Sequence, residues 1–197
     1  MVQQSLTSGL PGRLTQLTMT AVLALTVAGC APIAPTTQHS PVPAPTLNAL
    51  EQKEMSIKYQ REIRELVPPE LIDPRTSEMS EIGSLERTLV RCEFDTPYPS
   101  PAPVYYGGDF ALILKDSVDL HAFLHDLNET IASQPERERR TFKTTNPPDR
   151  SYWYFGDDYT VILSVITRGS DGAKMFNASV SSPCFYPEPP YSFGDKI

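Results

Sequence analysis

Residues 109–131, DFALILKDSVDLHAFLHDLNETI, change hydrophobic period midway, and that change decides the fold. Asp109 to Lys115 (DFALILK) is a short apolar run of strand length, which reads as a buried strand. Beyond it Leu120, Phe123, Leu124, Leu127 and Ile131 recur at i, i+3, i+4, i+7 and i+11, the period of a helix with one apolar stripe. Asp116 or Ser117 is the expected N-cap, because a short oxygen-bearing side chain there satisfies first-turn N–H groups. Pro135 and the charged stretch Glu136 to Arg140 end the helix. Downstream, Arg140 to Thr144, Ser151 to Phe155, Tyr159 to Thr167 and Lys174 to Ser182 read as strands, with Gly156-Asp157-Asp158 and Arg168 to Gly172 (RGSDG) as turns. Upstream, Leu85 to Asp95 alternates in a way that points Cys92 inward, and prolines 97, 99, 101 and 103 then impose a loop. The order is strand, strand, helix and a four-strand meander. This predicts an α+β fold, an antiparallel sheet packed against one or two helices.

The second helix is predicted from Thr46, as N-cap, to about Val67, where Pro68-Pro69 stops it. Met55, Tyr59, Ile63 and Leu66 form its apolar stripe, and Glu54/Lys58 and Lys58/Glu62 are i,i+4 charge pairs. Such a helix is expected to lie on its own domain in preference to forming a coiled coil. Residues 68–84 read as a connecting loop.

The N-terminal end is of a different character. No Asp, Glu, Lys or Arg occurs from Leu14 to Leu50, and Arg13 alone provides a positive flank. The apolar stretch Leu17 to Ala28 is 12 residues long, against about 20 needed to span a bilayer and roughly 7 to 15 in a signal peptide. Val27-Ala28-Gly29-Cys30 resembles a bacterial lipobox. The resemblance implies cleavage before Cys30 and acylation of its sulfur, with two or more acyl chains giving stable anchoring. Residues 31–46 (APIAPTTQHSPVPAPT), with five prolines and no formal charge, form a semi-rigid tether reaching up to about 50 Å at ~3.1 Å per residue. The expected organisation is a signal peptide at 1–29, lipidated cysteine and tether at 30–46, helix and loop at 47–84, and an α+β domain at 85–197.

Of 197 residues, 17 are Lys or Arg and 24 Asp or Glu, a net charge of −7. Loss of residues 1–29 removes Arg13 alone, leaving 16 Lys+Arg against 24 Asp+Glu. A chain this acidic lacks the broad basic surface that nucleic acid requires, and lipid, not charge, must hold it at a membrane. With Cys30 acylated, two cysteines remain, and outside the cytoplasm they are expected to pair as Cys92–Cys184. They lack the CxxC spacing of a redox-active pair.

No catalytic constellation stands out. His121 and His125 are four apart on the predicted helix, but Ala122 occupies the position where a zincin carries its general base, so a solvated helix flank is favoured and no metal is assigned. Asp157-Asp158 is explained by turn propensity. Gly107-Gly108 lacks the lysine of a phosphate loop, no nucleophile elbow is present, and no cofactor is implied. In the run Tyr152-Trp153-Tyr154-Phe155, strand alternation puts Trp153 and Phe155 on one face and Tyr152 and Tyr154 on the other. Tyr152 and Tyr154, with Tyr105, form the candidate interaction patch.

The stretch from Cys92 through Asp116-Ser117-Val118-Asp119 and the aromatic strand to Phe176-Asn177-Ala178-Ser179-Val180 and Cys184-Phe185 resembles the mycobacterial LppA-type lipoproteins, small actinobacterial proteins, over about residues 47–185. The resemblance implies the localisation and fold above more than any activity. The functional expectation is a non-enzymatic, lipid-anchored binding or scaffold module on the extracytoplasmic face of the cell membrane, engaging an envelope protein or cell-wall component. The alternatives are an envelope hydrolase using acidic residues such as Asp157 and Asp158 with the two histidines, or a carrier of a small or lipidic ligand.

Overall fold

A computed structural model describes residues 45–92, 102–139 and 148–197. The lipobox, Cys30, most of the tether, much of the proline-dense loop and the strand expected at Arg140 to Thr144 lie outside the described residues. The elements are β1 (Thr46–Leu47), α1 (Ala49–Glu65), two 3-10 turns (Pro69–Leu71 and Pro74–Glu78), β2 (Val90–Arg91), β3 (Val104–Tyr105), β4 (Gly107–Leu114), α2 (Leu120–Ala132), β5 (Arg137–Arg139), β6 (Arg150–Phe155), β7 (Tyr159–Thr167), β8 (Lys174–Ser181) and β9 (Tyr186–Pro187).

Five strands form one antiparallel sheet in the order β4-β8-β7-β6-β5. Three of the four strands expected in the meander, β6, β7 and β8, form its centre, and the DFALILK strand joins it by pairing with β8. Both helices pack on one sheet face. α1 buries Tyr59 and Ile63, and α2 buries Phe123, Leu124, Leu127 and Ile131. They meet Phe110, Leu112 and Leu114 of β4, Phe176, Ala178 and Val180 of β8, Val161, Leu163 and Val165 of β7, and Trp153 and Phe155 of β6. The fold is thus α+β in two layers, as the periodicities require: each helix has one apolar stripe and the sheet one apolar face. At α2 the burial is partly polar. Trp153 Nε1 donates to Asn128 Oδ1 at 2.9 Å, so the indole N–H is satisfied inside the core.

The boundaries moved for identifiable reasons. The cap of α1 is Asn48, whose Oδ1 accepts from Leu50 N at 2.9 Å, while Thr46 lies in β1, paired in parallel with β9. The cap of α2 is Asp119, which accepts from His121 N and Ala122 N, not Asp116 or Ser117. Glu136 to Arg140 was expected only to end a helix, yet Arg137–Arg139 forms the edge strand β5. Arg137 explains this: its guanidinium lies 3.9 Å from the Phe155 ring centroid and donates to Glu62 Oε2 at 2.6 Å, so the charged stretch is anchored by stacking and an ion pair. The strand expected over Leu85 to Asp95 lies within the described residues only as far as Cys92, and there it divides between two partners: residues 87–89 pair antiparallel with the C-terminal tail, Arg87 N donating to Ile197 O and Leu89 N to Asp195 O, and Val90–Arg91 forms β2. Leu89, Val104, Tyr106, Phe185 and Ile197 make a second, smaller core there.

Cys92 and Cys184 are disulfide-bonded, closing a sequence separation of 92. Cys92 is half-buried and Cys184 exposed, so the bond is a surface staple and Cys92 does not point into the core as its strand alternation suggested.

Candidate functional site

The helices leave the other sheet face without a helical layer. Register fixes what it carries. One row across the strands reads Gly107, Ser181, Thr160, Tyr154 and Glu138; the next reads Asp109, Ser179, Ile162 and Tyr152. Trp153 and Phe155 are buried on the helix side and Tyr152 and Tyr154 are half-buried on this one, the division expected from alternation. Tyr105 belongs to the same side, since a Cβ on Gly107 would meet its ring at 3.4 Å. The tyrosines nevertheless fall in two groups. Two strands intervene between Gly107 and Tyr154, a separation of roughly 14 Å at about 4.8 Å per strand, and Ser181 and Thr160 occupy the interval. The surface is a hydroxyl-bearing sheet flanked by tyrosines.

A concavity lies where β4, α1 and residues 79–87 meet, which sequence reasoning missed. It is a cavity of about 200 Å³ walled by Gln60, Leu85, Arg87, Tyr106, Gly108 and Phe110, among others. A groove of about 460 Å³, which shares Phe110 and Ala111 with it, adds Arg61, Arg64 and Ser77. Arg87 and Asp109, both in the wall of the cavity, pair at 2.7 Å. Gln60 is only 1% exposed; its Nε2 donates to Ser56 Oγ, and Ser56 Oγ donates to Val180 O. Gly108 makes room for this chain of bonds, because a Cβ there would stand 2.2 Å from Gln60 Nε2. The only sequence signal for the site was Gly107-Gly108 itself, and a glycine pair is too common to point to a cavity.

Tyr106 and Tyr159 are driven to stay neutral, their phenol pKa values raised first by burial; Tyr159 also donates to Gln52 Oε1 at 2.7 Å. Tyr59 is raised by burial too, against the opposing field of Arg137. None of these phenols is poised for acid–base work near neutral pH.

The remaining candidates do not assemble. His121 and His125 are both exposed on α2, and His121 Nδ1 lies 3.2 Å from Pro148 O. Among the described residues no group of three His, Cys, Asp or Glu side chains could hold a metal ion. Asp157 and Asp158 are exposed in the turn joining β6 and β7, where Asp158 has φ +65°. No described helix is long and apolar enough to cross a membrane.

These features define a two-layer α+β protein with a tyrosine-bearing sheet face and a grooved edge. Comparison with protein-family models, with curated proteins and with solved structures finds no match to this chain.

Proposed function

We propose that the chain is an exported lipoprotein of the LppA type, anchored through Cys30 at the extracytoplasmic face of the cell membrane, and that its α+β unit is a non-enzymatic module binding an envelope protein or cell-wall component. The observation that carries the reading is the Cys92–Cys184 disulfide. Once Cys30 is committed to lipid, this bond uses both remaining cysteines, as suits an oxidising compartment. The binding role draws support from the sheet face that carries Tyr105, Tyr152 and Tyr154, since tyrosine combines apolar area with a polar tip and is enriched at interfaces.

The alternatives have less support. Asp157 and Asp158 line neither the cavity nor the groove beside β4. For a lipidic cargo the cavity of about 200 Å³ is small beside the roughly 300–1,000 Å³ of usual ligand pockets, and the adjoining groove of about 460 Å³ carries the charged side chains Arg61, Arg64 and Glu81 in its wall.

Mass spectrometry of the protein extracted from membranes tests the anchor and the bond together. The expected mass is that of residues 30–197 plus acyl chains, two hydrogens below the reduced form. Retention of residues 1–29, or an unmodified Cys30, would overturn the anchor. Alanine at Tyr105, Tyr152 and Tyr154 is expected to lose envelope components cross-linked to the native protein, and an unchanged set would remove the tyrosine face from the proposal.

A further inference from the structure

β4 is an end strand of the sheet, and the direction of its backbone groups can be followed residue by residue. Tyr106 N–H donates to Ser182 Oγ and Ser182 N–H to Tyr106 O, so the even-numbered residues bond toward β8. The odd-numbered residues therefore present N–H and C=O to the outer edge. Residues 71–76 occupy one end of that edge: Lys115 N donates to Leu71 O, Asp73 N to Ile113 O, and Thr76 Oγ1 bonds both N and O of Ile113 at 2.9 Å. The chain then leaves the strand and meets it again at Arg87, through the Asp109 carboxylate. Between these two ties the N–H and C=O groups of Asp109 and Ala111 face the cavity and groove, with no hydrogen-bond partner among the described residues.

We propose that this open edge of β4, at Asp109 to Ala111, binds a short extended peptide bearing a carboxylate side chain, which adds as a further strand and sets its carboxylate against Arg61 and Arg64. Two donors and two acceptors on alternate residues match the pattern an extended backbone offers, the recognition mode known as strand addition. The open run from Asp109 to Ala111 is about 7 Å at ~3.4 Å per residue, so it engages two or three peptide residues before residues 73–76 close the edge at Ile113. The chain segment between Thr76 and Arg87, which flanks the gap, limits the occupant to a short segment and guards the edge from pairing with another sheet.

Charge selects the side chain. Arg61 and Arg64 line the groove against one acidic residue, Glu81, and neither arginine takes part in an ion pair among the described residues, so the groove keeps a net positive charge. Gln60 adds an independent pointer. Ser56 gives its hydroxyl hydrogen to Val180 O, so its Oγ must accept from Gln60 Nε2, and Gln60 Oε1 is left buried without a partner beside the cavity. Such an acceptor is costly until a donor reaches it. A peptide side chain ending in an amide or hydroxyl, two positions from the carboxylate and so on the same side of the strand, supplies one.

The test titrates the isotopically labelled, oxidised full chain with acetyl-Gln-Val-Glu-Val-amide and with its Lys-for-Glu counterpart. Saturation with the first is expected to slow amide hydrogen exchange at Asp109 and Ala111 at least tenfold, and the second is expected to bind at least tenfold more weakly. Ala111→Pro removes an outward N–H at an edge position where proline is tolerated, and is expected to weaken binding about tenfold or more. Should that variant fail to fold, Arg61→Glu with Arg64→Glu, changes at the outer surface of α1, is expected to reverse the preference between the two peptides. Unchanged exchange at both amides with millimolar peptide, or equal binding of both peptides to the native chain, would overturn the proposal. The inference uses neither the anchor nor the tyrosine face, so its failure leaves the proposed function to its own tests.

Discussion

The bond between Asn128 and Trp153 offers a direct measure of how the helical layer is held to the sheet. Trp153 is 1% exposed and Asn128 5%, and their side chains meet at 2.9 Å. Asn128→Leu keeps the branched shape and the number of heavy atoms, with somewhat larger methyl ends, but leaves the indole N–H without an acceptor. An unsatisfied buried polar group costs about 1–3 kcal/mol, which for a chain of this size lowers Tm by roughly 2–4 °C per kcal/mol. Trp153→Phe removes the donor, at the additional cost of a smaller ring and the space left behind. In the double variant neither polar group remains to be stranded, so its loss is expected to fall short of the sum of the single losses by about 1–2 kcal/mol. Urea unfolding of the oxidised protein, followed by far-UV circular dichroism because Trp153 is the only tryptophan, reads all four stabilities. Additivity within about 0.5 kcal/mol would refute the claim that the pair is coupled in the core.

Three further outcomes are expected. Gly156 has φ +50° and a Cβ there would meet Tyr59 Oη at 2.2 Å, whereas Gly172 has φ +71° with open space around it; Gly172→Ala should cost about 1–2 kcal/mol from backbone strain, and Gly156→Ala clearly more, as compared by thermal unfolding. Asp119 has its pKa lowered by the backbone N–H groups of Ala122 and His121; the stability it contributes is present above its ordinary value of 3.8 and lost as pH falls through the lower folded value, so Asp119→Asn should flatten the acid limb of a Tm-against-pH curve below about pH 4. Replacing Cys92 and Cys184 together by serine removes a cross-link over a sequence separation of 92, for which loop entropy gives an upper figure of about 4–5 kcal/mol; equal urea midpoints for the oxidised native chain and the double variant would refute the staple.

Much of this fold is local in origin and so was visible in one dimension. The run 109–115, the stripe from Leu120 to Ile131 and the alternation through residues 151–181 each repeat at the period of the element they form. Burial of one stripe and one face then leaves few ways to pack, and the division of Trp153 and Phe155 from Tyr152 and Tyr154 follows from alternation alone. The pairing of Cys92 with Cys184 was expected once the lipobox-like setting of Cys30 set that cysteine apart.

What the tertiary structure decided depends on partners distant in sequence. No local pattern marks Arg137–Arg139 as a strand; it pairs with β6 because Glu62 and the Phe155 ring hold Arg137 there. Residues 87–89 pair with the C-terminal tail, a partner far away in sequence that no local pattern announces. The three tyrosines share a face but not a patch, since strand order, which sequence does not encode locally, puts β8 and β7 between them. The groove beside β4 has the same origin: its arginines come from α1, its open backbone groups from an end strand and its far wall from residues 79–87, and only packing brings these together. Periodicity is a property of neighbours along the chain and can be read there, whereas a site made of strand edges and helix flanks exists only once the elements have met.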